Sequence, residues 1–136
     1  MTIFDVMIST LVFAFVIMTS LTLIQYGVRA MDNARSTTIA GQIVESVLED
    51  TRMLPWSSVS ALTSGNVTIG ESFTADNAAA QALVARFTVT RTVSAISASM
   101  KQIDVTASWT GIDGRAHSLK YTSYYGQNGL HDYYVK

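Results

Sequence analysis

Met1-Thr-Ile-Phe-Asp5-Val-Met-Ile-Ser-Thr10-Leu-Val-Phe-Ala-Phe15-Val-Ile-Met-Thr-Ser20-Leu-Thr-Leu-Ile24 opens the chain, and its reading decides the fold. Asp5 is the only formally charged side chain before Arg29. The uninterrupted stretch, Val6 to Ile24, is long enough to span a bilayer core at about 1.5 Å per helical residue. A carboxylate inside such a helix costs about 2.5–3.5 kcal/mol on insertion scales, so its presence needs a reason. The nearest cation that can pair with it is an α-amino group at residue 1. In a helix, residues 1 and 5 lie one turn apart. The carboxylate can therefore also meet the N-terminus of a neighbouring copy, which suggests a subunit that leaves the membrane by packing against itself.

Two other readings of the same stretch stay open. A secretory signal peptide is one, but there is no basic n-region, the apolar run exceeds the usual length and no A-x-A pattern follows. A plain single-span anchor is the other, and hydropathy alone does not separate it from an assembling helix. Arg29, Asp32 and Arg35 are the first charges after the span and give a weak orientation signal.

Helical character continues past the apolar run. Residues 25–54 contain no proline and two glycines, Gly27 and Gly41. Ala40, Ile43, Val44, Val47, Leu48, Thr51 and Leu54 follow the i, i+3, i+4, i+7 rule, with Gln42, Glu45, Glu49 and Arg52 on the opposite face. Pro55 disfavours helical geometry at Leu54 and removes a backbone donor, so it marks the stop. The pattern predicts one helix over residues 1–54. Residues 1–24 are apolar all round, and residues 25–54 are amphipathic. Only the second half needs a globular domain to cover it.

That domain is predicted over residues 55–136, about 80 residues and one small core. Trp56 to Ala80 is rich in Ser, Thr, Ala, Gly and Asn and reads as a linker, with a short strand at 66–69. Three alternating segments follow. Ala85, Phe87, Val89 and Val93 alternate with Arg86, Thr88, Thr90 and Thr92. Ile103, Val105, Ala107 and Trp109 alternate with Gln102, Asp104, Thr106 and Ser108. Leu119 and Tyr121 alternate with Ser118, Lys120 and Thr122. This period of two gives each strand one apolar and one wet face. Asp113-Gly114 between the last two is a tight-turn signal. The fold class is α+β: a long N-terminal helix packed on a small three- or four-stranded antiparallel meander.

Net charge is −1, so the whole chain carries no electrostatic footprint for nucleic acid or anionic lipid. With no cysteine, disulfides, thiolate zinc sites and cysteine nucleophiles are excluded. His117 and His131 have no neighbouring ligand at metal spacing and read as satisfied or solvated side chains. Glu45, Glu49 and Asp50 form an acidic cluster that reads as a solvated helix face, with Glu49 and Arg52 paired at i, i+3. Asn66-Val-Thr68 fits the N-glycosylation pattern, which is short and common by chance. Nothing matches a nucleophile elbow, a phosphate loop or a catalytic carboxylate pair, so no catalytic residue, cofactor or metal is expected.

On these residues the chain resembles a mature type IV pilin or pseudopilin. The specific likeness covers about the first 25 residues, and the architecture covers the rest. Phe4-Asp5-Val6 stands where the family usually has an aliphatic residue, Glu and another aliphatic residue. Asp keeps the charge and shortens the reach by one methylene. Met1 replaces the usual Phe, and Thr22 stands where many members have a helix-bending proline; the family tolerates both. No cysteine pair closes a C-terminal loop, so Tyr121, Tyr124, Tyr125, Tyr133 and Tyr134 are expected to pin that segment. Ile43-Val-Glu-Ser-Val-Leu-Glu-Asp-Thr-Arg52 with Pro55-Trp56, and Val105-Thr-Ala-Ser-Trp109, resemble the minor-pilin and minor-pseudopilin branch.

The resemblance implies a life history. A prepilin peptidase removes a basic leader ahead of Met1 and methylates the new Met1 amine. The subunit waits in the inner (cytoplasmic) membrane. An assembly ATPase and a platform protein then drive it into a helical homopolymer outside the cell, with Met1 and Asp5 as the assembly residues. Adhesion and motility, DNA uptake and type II secretion are all services such filaments perform. The alternatives are a type II secretion pseudopilin and a membrane-anchored extracytoplasmic binding module.

Overall fold

The computed structural model describes residues 2–69 and 78–129. Helix α1 runs unbroken over Ile3–Arg52, 50 residues, or about 75 Å. It stops two residues before the sequence-based end at residue 54. Met53 takes the cap position, its N–H donating to the Glu49 and Thr51 carbonyls, because Pro55 cannot continue the turn. Leu54 remains partly buried against the core.

The stripe on the second half of α1 is buried as its periodicity requires. Ala40, Ile43, Val44, Val47, Leu48 and Thr51 are all core residues. Ser36, one turn earlier, is also buried, although it lies outside the apolar pattern. The Thr51 hydroxyl donates to the Val47 carbonyl at 2.7 Å, which satisfies it inside the core. Gln42, Glu45, Glu49 and Arg52 face solvent.

Four antiparallel strands lie in the order β1-β2-β3-β4: Gly65–Asn66, Phe87–Ser97, Met100–Thr110 and Ala116–Gly126. β3 is central between the two long strands, with Val89 opposite Ala107 and Ala107 opposite Leu119. Ile103, Val105, Ala107 and Trp109 all face α1 and are buried. β2 follows less closely. Phe87 and Val89 are buried, but Ala85 precedes the strand and is exposed, and Arg91 interrupts the apolar face. On β4, Leu119 is half-buried and Tyr121 is 42% exposed.

The segment 56–80 is more than a linker. Trp56–Ala61 forms α2, and Val59 from it is fully buried in the shared core. Pro55 sits at its N-cap, where a missing N–H costs nothing. Ala78–Val84 forms α3, and Val84 reaches the core. The strand expected at 66–69 is shorter and starts earlier: β1 pairs at Gly65 and Asn66, and beyond it the Val67 N–H donates to the Val89 carbonyl.

Candidate assembly site

The first half of α1 leaves the core behind. The 18-residue stretch that marks α1 as long and apolar enough to cross a membrane is not buried at all within the chain. Ile3, Phe4, Val6, Met7, Ile8, Leu11, Val12 and Phe13 are exposed, and the pattern continues through Leu23, Ile24 and Val28. These positions surround the helix. A soluble monomer rarely exposes such an area, and by length and composition this helix is a candidate membrane span.

Asp5 sits in the first turn of α1. Its Oδ2 accepts hydrogen bonds from the Thr2 hydroxyl at 3.2 Å and the Thr2 backbone N–H at 3.4 Å. The Asp5 N–H donates back to the Thr2 carbonyl at 3.0 Å. Thr2 is the N-cap, in extended geometry. A negative charge here meets free N–H groups and the positive end of the helix dipole. The carboxylate thus has a role within its own chain, beyond the one its sequence context suggests. Met1, the other expected assembly and modification residue, lies outside the described residues.

The hydroxyl side chains of the apolar half bond back to the helix. Ser9, Thr10, Ser20 and Thr22 each donate to the carbonyl four residues earlier, at 2.8–2.9 Å. Thr19 donates to both Phe15 and Val16. Every one of these polar groups is satisfied without a partner helix.

Where α1 meets the sheet, Asp32 joins three elements. Its carboxylate lies 3.8 Å from the Arg86 guanidinium ahead of β2. It also accepts from the Ile112 N–H, at 3.4 Å, in the loop between β3 and β4. That loop is the expected Asp113-Gly114 turn. The Gly114 N–H donates to the Gly111 carbonyl, and Gly114 takes φ +74°, which glycine adopts without strain. The Asp113 carboxylate accepts from the Arg115 N–H and is held below the usual carboxylate range, chiefly by that bond.

The remaining expected sites are separate. His117 stacks on Trp109 with ring centroids 5.6 Å apart, a packing role. His131 lies outside the described residues. Glu49 pairs with Arg52 at 2.6 Å on an exposed face, as the spacing predicted. Among the described residues no three carboxylates or histidines converge to hold a metal. Asn66 is exposed on β1. Among the described tyrosines, Tyr125 pins the C-terminal strand: its ring stacks on Trp56 and its hydroxyl donates to the Leu54 carbonyl. Tyr124 is 61% exposed, and Tyr133 and Tyr134 lie outside the described residues.

No protein-family model, curated protein or solved structure matches the chain.

Proposed function

We propose that the protein is a structural subunit of a type IV pilus-like filament, held first in a membrane and then polymerised through the apolar half of α1. The observation that carries this reading is one continuous helix with two different halves. Residues 36–51 bury a stripe against a β-sheet, while residues 3–28 have no cover from their own chain. An acid in the first turn gives the bare half a polar feature around which copies can be set in register. Exchanging lipid for neighbouring helices gains little bulk hydrophobic energy, so packing and the Asp5–Met1 amine pair supply the specificity. The role is structural rather than catalytic. A type II secretion pseudopilin would use the same helix in the same way.

One observation favours a second reading. Asp5 is already engaged by Thr2, so its charge is accounted for as a helix cap. A membrane-anchored module carrying a small β domain outside the membrane needs no more than that.

The experiment is to compare the whole chain with a version starting at Gln25. After detergent removal the whole chain forms filaments by electron microscopy, and the truncated chain stays a monomer. Filaments from the truncated chain overturn the assignment.

A further inference from the structure

The net charge of −1 conceals a local arrangement at the foot of the β domain. Tyr26, Arg29, Ala30 and Asn33 of α1 and Asp113 and Arg115 of the β3–β4 loop line one cleft of about 360 Å³. Two arginines therefore line it from positions 86 residues apart in sequence. Ile112, at the tip of the same loop, is exposed as an isolated apolar side chain.

In the membrane-held state the length of the apolar run sets the depth of this cleft along α1. A hydrocarbon core of about 30 Å takes about 20 residues of upright helix, and each headgroup layer takes about 3–5 more. With the uninterrupted apolar run Val6 to Ile24 in the hydrocarbon, that layer ends near Ile24. Tyr26 and Arg29 then fall in the headgroup layer, where tyrosine and arginine are favoured. The Ile112–Asp32 hydrogen bond places the loop tip one turn above Arg29. The β3–β4 loop thus hangs at the boundary of the layer, with Arg115 and Arg29 lining the same cleft.

The charges around the cleft suit an anion. The Asp113 carboxylate faces its own loop, with the Arg115 N–H at 3.0 Å and the His117 ring at 3.8 Å. Asp32 is committed to Arg86 and Ile112. Among the described residues, neither Arg29 nor Arg115 forms an ion pair with another element. Arg115 meets only neighbouring Asp113, at 3.9 Å, with its side chain 83% exposed. The acids of the amphipathic half, Glu45, Glu49 and Asp50, lie higher on the helix, away from the membrane.

We propose that the cleft formed by Tyr26, Arg29, Asn33 and Arg115 binds the phosphate headgroup of an anionic phospholipid while α1 spans the membrane. The two guanidiniums take the phosphate, and Asn33 and Tyr26 supply neutral donors beside it. The loop tip with Ile112 lies at the outer edge of the headgroup layer, about one turn above Arg29. The site rests on the membrane-held state proposed above. It orients the β domain over the leaflet and is given up when the helix leaves the lipid.

The test uses the full chain with Ile112→Cys, the sole cysteine, carrying an apolar polarity-sensitive dye. The chain is placed in phosphatidylcholine vesicles with or without phosphatidylglycerol. Phosphatidylglycerol is expected to shift the dye emission to the blue, with a selectivity for the anionic lipid of roughly thirtyfold from two arginines near the surface. Arg29→Gln with Arg115→Gln abolishes the shift and leaves flotation with the vesicles unchanged. Inorganic phosphate added to phosphatidylcholine vesicles does not reproduce it. Equal emission in both vesicles, persistence of the shift in the double variant, or an equal response to free phosphate overturns the headgroup site. A chain that fails to float with either vesicle overturns the membrane-held reading as well.

Discussion

The Tyr125 hydroxyl, at the end of the last strand, donates to the carbonyl of Leu54, just past the end of the long helix. That carbonyl belongs to the residue before Pro55, where the helical ladder has stopped. One bond thus closes the sheet onto the helix terminus in a chain that has no cysteine to do so. Tyr125→Phe keeps the stack on Trp56 and loses the donor. It should lower stability by about 1 kcal/mol, more if the carbonyl is left dry. Tyr124→Phe, on an exposed ring, should change nothing. Thermal unfolding of the two variants in detergent reads the difference.

Gly41 lies on α1 under β4. A methyl group there would meet the Tyr121 hydroxyl at 3.6 Å and Leu119 at 3.8 Å, ordinary contacts. Gly41→Ala should therefore gain helix propensity of up to about 1 kcal/mol without displacing the sheet. Gly41→Phe has no such room and should unfold at lower temperature than wild type. An Ala variant less stable than wild type would show that the two elements pack more closely than these distances.

Asp104 on the solvent face of β3 accepts from Gln102, Thr122 and Lys120, and these bonds hold its pKa at about 2. A folded pKa below the unfolded value gives stability that is fully present above about pH 4 and is lost as pH falls towards the folded pKa. Acid unfolding should steepen between those limits. Asp104→Asn should flatten that part of the curve and leave the slope above it alone. An unchanged acid limb in the variant would remove Asp104 as its source.

Much of this fold was legible in the sequence, and the lapses have physical causes. β3 alternates without a fault from Gln102 to Trp109 because it is central, with α1 on one face and water on the other. The stripe from Ala40 to Leu48 was legible for the same reason. Val59 was missed because a single apolar residue in a Ser-rich run has no period to detect, yet it is fully buried. α2 is too short for a 3.6-residue pattern to declare itself. Asp32 read only as a charge after the span, since its partners lie 54 and 80 residues away. The Asp5 cap was available in the Thr2-x-x-Asp5 spacing, a short form of the capping box. The apolar setting of the carboxylate pointed instead to an intermolecular partner, and one side chain carries both signals.

Thr19, Ser20 and Thr22 bond to carbonyls of their own helix, which is continuous in the single chain. Those side-chain bonds offer the carbonyls an alternative to the backbone ladder. In a filament, residues 14–24 should open locally. Replacing the three by alanine should keep the helix closed in a filament density map. Unbroken helical hydrogen bonds through this span in the wild-type filament would remove the idea.

The proposed assembly role of Asp5 is separable from its capping role. Thr2→Ala removes the hydroxyl donor to the carboxylate and keeps the charge. It should cost the helix end about 1 kcal/mol and leave assembly intact. Asp5→Ala removes both roles and relieves the cost of insertion, so the chain should still enter the membrane. A docked neighbour's Met1 amine then has no partner in a dry core. Asp5→Asn keeps an acceptor for Thr2 without the charge and should behave as Ala does, while Asp5→Glu should be tolerated. The measurement is the yield of sheared filaments against total membrane-held subunit. The account predicts near-normal yield from Thr2→Ala and Asp5→Glu and a severe loss from Asp5→Ala and Asp5→Asn. Normal yield from Asp5→Ala, in filaments of ordinary subunit length, would contradict it and leave the acid as a helix cap on an anchor.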